Sequence, residues 1–159
     1  MKVGLAVVAA IVLLTVAATG TSAGPSTNTC TIVQTRDLIR RFATAFNRGD
    51  AATLNRVWSK KPNFKWYSVS TEPGQRVQSE AYRRDTLSSY FAKCHTAHER
   101  LTLTSITVNS TSNGYRNFQY RLLRSADDLT AGPVDYEGKG VLTCRTGQLG
   151  VWSMGAAGS

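Results

Sequence analysis

The chain has 159 residues, the length of one domain and too short for most multidomain arrangements. Nineteen Lys and Arg against ten Asp and Glu give a formal net charge of +9, while 42% hydrophobic and 18% charged residues exclude a disordered tail. Three Cys exclude a disulfide-rich miniprotein, and 13 Gly with 4 Pro exclude a collagen-like chain.

The N-terminus reads as an export signal. Lys2 is followed by an apolar run from Val3 to Ala18, interrupted only by Thr15, and then by Thr19-Gly20-Thr21-Ser22-Ala23. Thr21 and Ala23 fit the small-residue pattern before a cleavage site, and the run is shorter than the ~20 residues that span a bilayer. The expected organisation is a signal peptide over 1–23, a disordered lead-in over 24–29 and one domain over 30–159. An uncleaved anchor is the weaker reading. Localisation is expected to be secreted, or extracytoplasmic, where a disulfide can persist.

Thr31-Ile32-Val33-Gln34 fits a helix-opening capping box. Thr35, Leu38, Ile39, Phe42, Ala43 and Phe46 then repeat at helical spacing, so one face of this first helix is buried. Gly49 suits a left-handed helix end, and Asp50 can cap a second helix over about Ala51 to Trp58 that buries Leu54, Val57 and Trp58. Asn63 to Val69 reads as a strand and Thr71 to Gln78 as a loop. Ser79 is expected to cap a third helix with Leu87, Tyr90, Phe91 and Cys94 on one face.

From Glu99 onward the period becomes that of strands. Leu101 to Val108, Asn117 to Leu123, Tyr136 to Cys144 and Gln148 to Met154 are separated by turn or loop segments at 109–114, 127–133 and 145–147. Helices followed by strands give an α+β domain whose sheet lies on the helices. Such a sheet is expected to curl into a cone with an interior cavity.

Arg41-Phe42-x-x-Ala45-Phe46-Asn47-x-Gly49-Asp50-x-x-x-Leu54 resembles the first helical hairpin of the nuclear transport factor two-like (SnoaL-like) superfamily. Phe64-x-Trp66-Tyr67-Ser68, Tyr136-x-Gly138-Lys139-Gly140 and Val151-Trp152-Ser153-Met154 are similar to segments of its small secreted bacterial members. The resemblance runs from Cys30 to Met154. It implies a cone-shaped, curved antiparallel sheet wrapped on three N-terminal helices around a pocket. It does not fix function, because this cone hosts isomerases, dehydratases, hydrolases and non-catalytic binders.

Enzymes of this superfamily place a carboxylate inside the cone as general base. No acid occupies the Asn63 to Val69 strand where isomerase relatives direct attention, and Asn63 cannot serve. His95-Thr96-Ala97-His98-Glu99 is neither His-Glu-x-x-His nor His-x-x-Glu-His and reads first as the polar end of a helix. Gly138-Lys139-Gly140 lies in a strand, not before a helix, so it reads as a glycine bulge where the sheet bends or packs closely on a helix. Arginines are scattered without interleaved aromatics, so no nucleic-acid partner is expected.

The expected function is therefore a secreted, non-catalytic binding domain for a small apolar or amphipathic ligand or a partner protein. Its candidate pocket residues are Trp66, Tyr67, Tyr90, His98, Tyr120 and Trp152. No catalytic residue, metal or cofactor is expected, nor a membrane span once the signal is removed; a homodimer is left open. The alternative is a small isomerase, dehydratase or hydrolase using Tyr67 or His98 with a nearby carboxylate. Cys30 is expected to pair with Cys144, pinning the frayed start of the first helix to the end of the sheet. Cys94 lies on the apolar stripe and should remain a buried free thiol.

Overall fold

A computed structural model describes residues 30–60, 65–68, 79–81 and 83–157. In chain order it contains α1 (Ile32–Arg48), α2 (Ala51–Val57), β1 (Lys65–Ser68), β2 (Ser79–Ala81), α3 (Arg84–Thr96), β3 (Arg100–Ser112), β4 (Tyr115–Ser125), β5 (Val134–Thr143) and β6 (Gln148–Ala156). The six strands form one sheet in the order β2-β1-β6-β5-β4-β3. The four strands after α3 form the expected antiparallel sheet, and β1 joins its β6 edge in parallel while pairing antiparallel with β2.

Local chemistry sets the helical hairpin. The Gln34 amide donates to Thr31 Oγ1 and the Thr31 amide to Gln34 Oε1, each at 3.2 Å, which closes the expected capping box. Gly49 ends α1 at φ 66° and donates to the carbonyls of Ala45 and Phe46. Asp50 then accepts from the Thr53 amide at 2.9 Å. Hydrogen bonding from the Thr53 side chain, and then from its amide, holds the Asp50 carboxyl below its ordinary value, and the amide contact caps α2. The Asn47 side chain clamps α1 to β3: its Nδ2 donates to the Leu101 carbonyl at 3.0 Å and its Oδ1 accepts from the Leu101 amide at 2.8 Å.

Several boundaries differ from expectation. Ser79 lies in β2 and does not cap the third helix; α3 begins at Arg84, and its N-cap Arg83 makes no side-chain cap. Pairing with β1 outweighs the capping preference of a serine. Trp58 is the C-cap of α2 and bridges to Leu149 of β6. Asn109 to Ser112 continue β3, with only Asn113-Gly114 making the turn, because Thr111 and Ser112 pair with Arg116 and Tyr115. β5 and β6 run 134–143 and 148–156, against the expected 136–144 and 148–154. The expected strand residues Asn63, Phe64 and Val69 and the loop 71–78 lie outside the described residues.

Alternation places Phe118, Tyr120 and Leu122 of β4, Tyr136 and Leu142 of β5, and Trp152 and Met154 of β6 in the core with Ile39, Phe42 and Phe46 of α1. Gly138 and Gly140 pair in register with Tyr120 and Phe118, and no register shift falls between them. They form no bulge. A Cβ at Gly138 would lie 2.3 Å from Tyr120 Oη and 2.2 Å from the Ser153 carbonyl, and one at Gly140 would lie 2.3 Å from the Phe118 ring. The glycines are places where cross-strand rings lie directly on the backbone.

Cys30 and Cys144 form the disulfide, with Cα atoms 4.9 Å apart at a sequence separation of 114. Cys94 is a buried free cysteine. No helix among the described residues is long and apolar enough to cross a membrane.

Candidate functional site

The sheet side of the core is filled. Trp152 stacks on Tyr120 with ring centroids 4.1 Å apart, and meets Phe42 at 4.6 Å and Phe118 at 5.9 Å. The Tyr120 hydroxyl donates to the Ser153 carbonyl at 2.7 Å, which binds this group into the sheet. Two expected pocket residues, Tyr120 and Trp152, thus pack against each other. Trp152 is fully buried, while Tyr120 borders a polar trough on the opposite sheet face.

Of the remaining four expected residues, Tyr90 and His98 stand apart from that group. Tyr90 is half-buried beside Phe91, with centroids 6.2 Å apart. His98 stands on the surface, not in a pocket; its Nδ1 lies 3.0 Å from Asp127 and its side chain is 74% exposed. The cause is local: His98 adopts φ 49° in the turn after α3, which directs it away from the core. Backbone pairing sets Trp66 opposite Trp152 and Tyr67 opposite Ser153, while both side chains lie outside the described residues.

A buried ion pair does exist, but elsewhere. Arg124 Nη2 lies 2.9 Å from Glu99 Oε2, with Glu99 only 3% exposed. Burial opposes the Arg124 charge, yet the Glu99 hydrogen bond and charge outweigh it and hold the guanidinium above its ordinary range. Arg124 also lies 5.9 Å from the Tyr136 ring centroid and 3.7 Å from Asp128. Neither member of the pair lines a cavity among those found in the described residues. The pair fastens the start of β3 to the end of β4. Nearby, burial and the charge of Glu99 push the Cys94 thiol up to about 12, so it remains protonated and unreactive.

The open apolar space lies on the helical side. A cavity of about 290 Å³ sits between α2 and α3, with Leu54, Trp58, Leu87 and Phe91 among its lining residues. All four are buried hydrophobics, so they form its floor. Gly49, Ala51, Asn55, Arg84, Ser88, Ala92, His95 and Thr96 complete the lining. Two rim hydroxyls are turned back on their own helix: Ser88 donates to the Arg84 carbonyl at 2.9 Å and Thr96 to the Ala92 carbonyl at 3.1 Å. A Cβ at Gly49 would come within 2.7 Å of the His95 ring, so the imidazole packs directly on the backbone of the hairpin turn. His95 and His98 therefore diverge, one at this cavity and the other against Asp127.

The second large space is different in kind. A trough of about 630 Å³ on the other face of the sheet is lined by side chains such as Gln119, Arg121, Glu137 and Lys139. It is polar, and Arg121 is already paired with Asp135 at 3.4 Å. An apolar floor with few polar groups is the more usual form of a small-molecule site, and the α2–α3 cavity has that form.

Sequence reasoning anticipated the burial of Leu54, Trp58, Leu87 and Phe91 but assigned them to plain core. Arg84 carried no signal. The His-x-x-His spacing drew attention to the right segment, though His95 and not His98 borders the cavity.

No family model and no curated protein matches the sequence. Solved structures do match in shape. An uncharacterised protein with a cystatin-like fold from Caulobacter vibrioides is 15% identical, with a TM-score of 0.62 over 77% of this chain and 86% of that one. A candidate dehydratase of the NTF2-like family from Streptomyces avermitilis is 15% identical, with a TM-score of 0.61 over 80% of this chain and 96% of that one. The orange carotenoid protein of Anabaena (Nostoc) sp., solved binding canthaxanthin, is 13% identical, with a TM-score of 0.61 over 77% of this chain and 36% of that one.

Proposed function

From the premise that this chain carries the nuclear transport factor two-like, or cystatin-like, fold, we propose that it is an extracytoplasmic, non-catalytic binding domain. It takes a small apolar or amphipathic ligand in the cavity between α2 and α3. The observation that carries this reading is the cavity's floor of Leu54, Trp58, Leu87 and Phe91. Transfer of apolar ligand surface onto such a floor is favourable by about 25 cal/mol per Å². The sole buried ion pair among the described residues, Glu99–Arg124, is not part of that cavity's lining, which favours a binder over an acid–base catalyst. Fold neighbours include both a candidate dehydratase and a protein solved with canthaxanthin, so the local chemistry decides between enzyme and binder.

Extracytoplasmic placement draws support from the Cys30–Cys144 disulfide, since such bonds persist in oxidising compartments. With it goes cleavage after Ala23, giving a mature chain that starts at Gly24. Intact-mass measurement of exported protein should give that N-terminus, and retention of residues 1–23 would contradict it.

The ligand-binding reading is tested by native mass spectrometry of gently purified protein, searching for a co-purified small molecule. Leu87→Trp, which fills the cavity, should abolish the adduct while the protein remains folded. An adduct unaffected by this substitution would place the ligand elsewhere.

A further inference from the structure

Resting on the cavity reading above, we propose that Arg84 makes this site selective for amphipathic monoanions, molecules with an apolar body and a carboxylate head. Three charged residues adjoin at the start of α3, and their pairing is unequal. Arg83 takes Asp85 in a two-point contact, with Nε 3.2 Å from Oδ1 and Nη2 3.0 Å from Oδ2. Asp85 is further held by the Thr86 amide at 2.9 Å. Arg84, the half-buried member and the one lining the cavity, makes no ion pair among the described residues.

What Arg84 touches is neutral. Its Nη1 donates to the carbonyls of Trp58 and Ser59, both at 3.0 Å, and its Nη2 donates to the Asn55 carbonyl. These contacts fix the side chain across the C-terminal end of α2, where carbonyl dipoles favour a cation without cancelling its full charge. A guanidinium has five N–H donors, and the carbonyls use three, so two remain for an oxygen acceptor. The guanidinium is thereby held in place before any ligand arrives, which lowers the ordering cost of binding.

The surroundings fit an anion and not a cation. Among the described residues, no carboxylate lines the cavity. The neighbouring hydroxyls of Ser88 and Thr96 are engaged with helix carbonyls, leaving Arg84 and His95 as the charged or ionisable groups at its rim. A hydrogen bond from guanidinium to carboxylate is about twice as strong as a neutral one, and stronger still beside an apolar wall. A neutral ligand of the same length gains the floor but not this contact.

The experiment compares octanoate with octanol, which share one chain and differ in the head group. Isothermal titration of the intact exported protein should show octanoate binding at least roughly tenfold more tightly than octanol, the difference expected for one charge-assisted contact. In Arg84→Gln the two should bind within about a factor of two, whereas Arg84→Lys should retain most of the preference. Because Arg84 also caps α2, both variants are checked by thermal unfolding, and the ratio of the two affinities is the readout. Equal binding of both probes to the unaltered protein would overturn anion selectivity and leave the apolar site standing. A preference that survives in Arg84→Gln would overturn the role of Arg84. Failure of both probes to bind would overturn the cavity reading as well.

Discussion

Two aromatic regions of this protein share a wall and end differently. On the sheet side, Trp152, Tyr120 and Phe118 fill the interior against Phe42. On the helix side, Trp58 and Phe91 also lean on Phe42, at 5.6 and 5.9 Å, yet they floor an open cavity. Composition does not separate these regions; coverage does. Gly138 and Gly140 let the rings of Tyr120 and Phe118 lie directly against β5, where a side chain would otherwise stand. The seven residues of α2 span about 10 Å, while the thirteen of α3 span about 20 Å.

Five substitutions or treatments probe that contrast, in order of decreasing effect. Trp152→Ala removes the ring shared by three aromatic contacts, and equilibrium urea unfolding should show a loss of about 4 kcal/mol. A loss below about 1 kcal/mol would mean the sheet side is not close-packed. Cys144→Ser opens a bond that closes a separation of 114 residues, and the same measurement should register about 3 kcal/mol. Its effect should fall on the start of α1, seen as faster amide exchange there.

Gly138→Ala should cost about 2 kcal/mol, because the nearest atoms include the Ser153 carbonyl of the adjoining strand, which cannot yield without disturbing the ladder. The same change at Gly150 meets only ordinary contact, the nearest atom lying 3.5 Å away, and should be close to neutral. Smallest is the response of Cys94. Burial holds its pKa at about 12, above the ordinary value of 9.0, so the native thiol should resist alkylation at pH 8. The folded state favours the protonated form, so this contribution is complete below pH 9 and is lost as pH rises toward 12. Rapid native-state alkylation at pH 8 would contradict the burial.

The sequence made some of this structure readable and hid the rest for identifiable reasons. The capping box at Thr31 and Gln34, the left-handed Gly49 and the apolar stripe of α1 depend on neighbours within a turn or two, and all were legible. So was the Cys30–Cys144 pair, because Cys94 fell on a buried helical face. Ser79 misled because a serine that can cap a helix can equally enter a strand when a partner lies alongside, as β1 does. Asn109 to Ser112 misled in the same way, their polarity being that of the exposed end of a ladder and not of a turn.

The site was less legible than the fold. An aromatic that lines a cavity and one that fills it have the same periodicity, so Tyr120 and Trp152 were indistinguishable from Trp58 and Phe91. Arg84 was hidden for another reason. Its distinction is that Asp85, its sequence neighbour, is taken by Arg83, and only three-dimensional pairing reveals that.

The central claim is that the accessible apolar space lies between α2 and α3 and not inside the sheet. Methyl-resolved NMR under xenon pressure tests this most directly. The account predicts shifts concentrated on the methyls of Leu54 and Leu87, with Leu122 and Met154 unmoved. Shifts concentrated on Leu122 and Met154, with Leu54 and Leu87 silent, would contradict it.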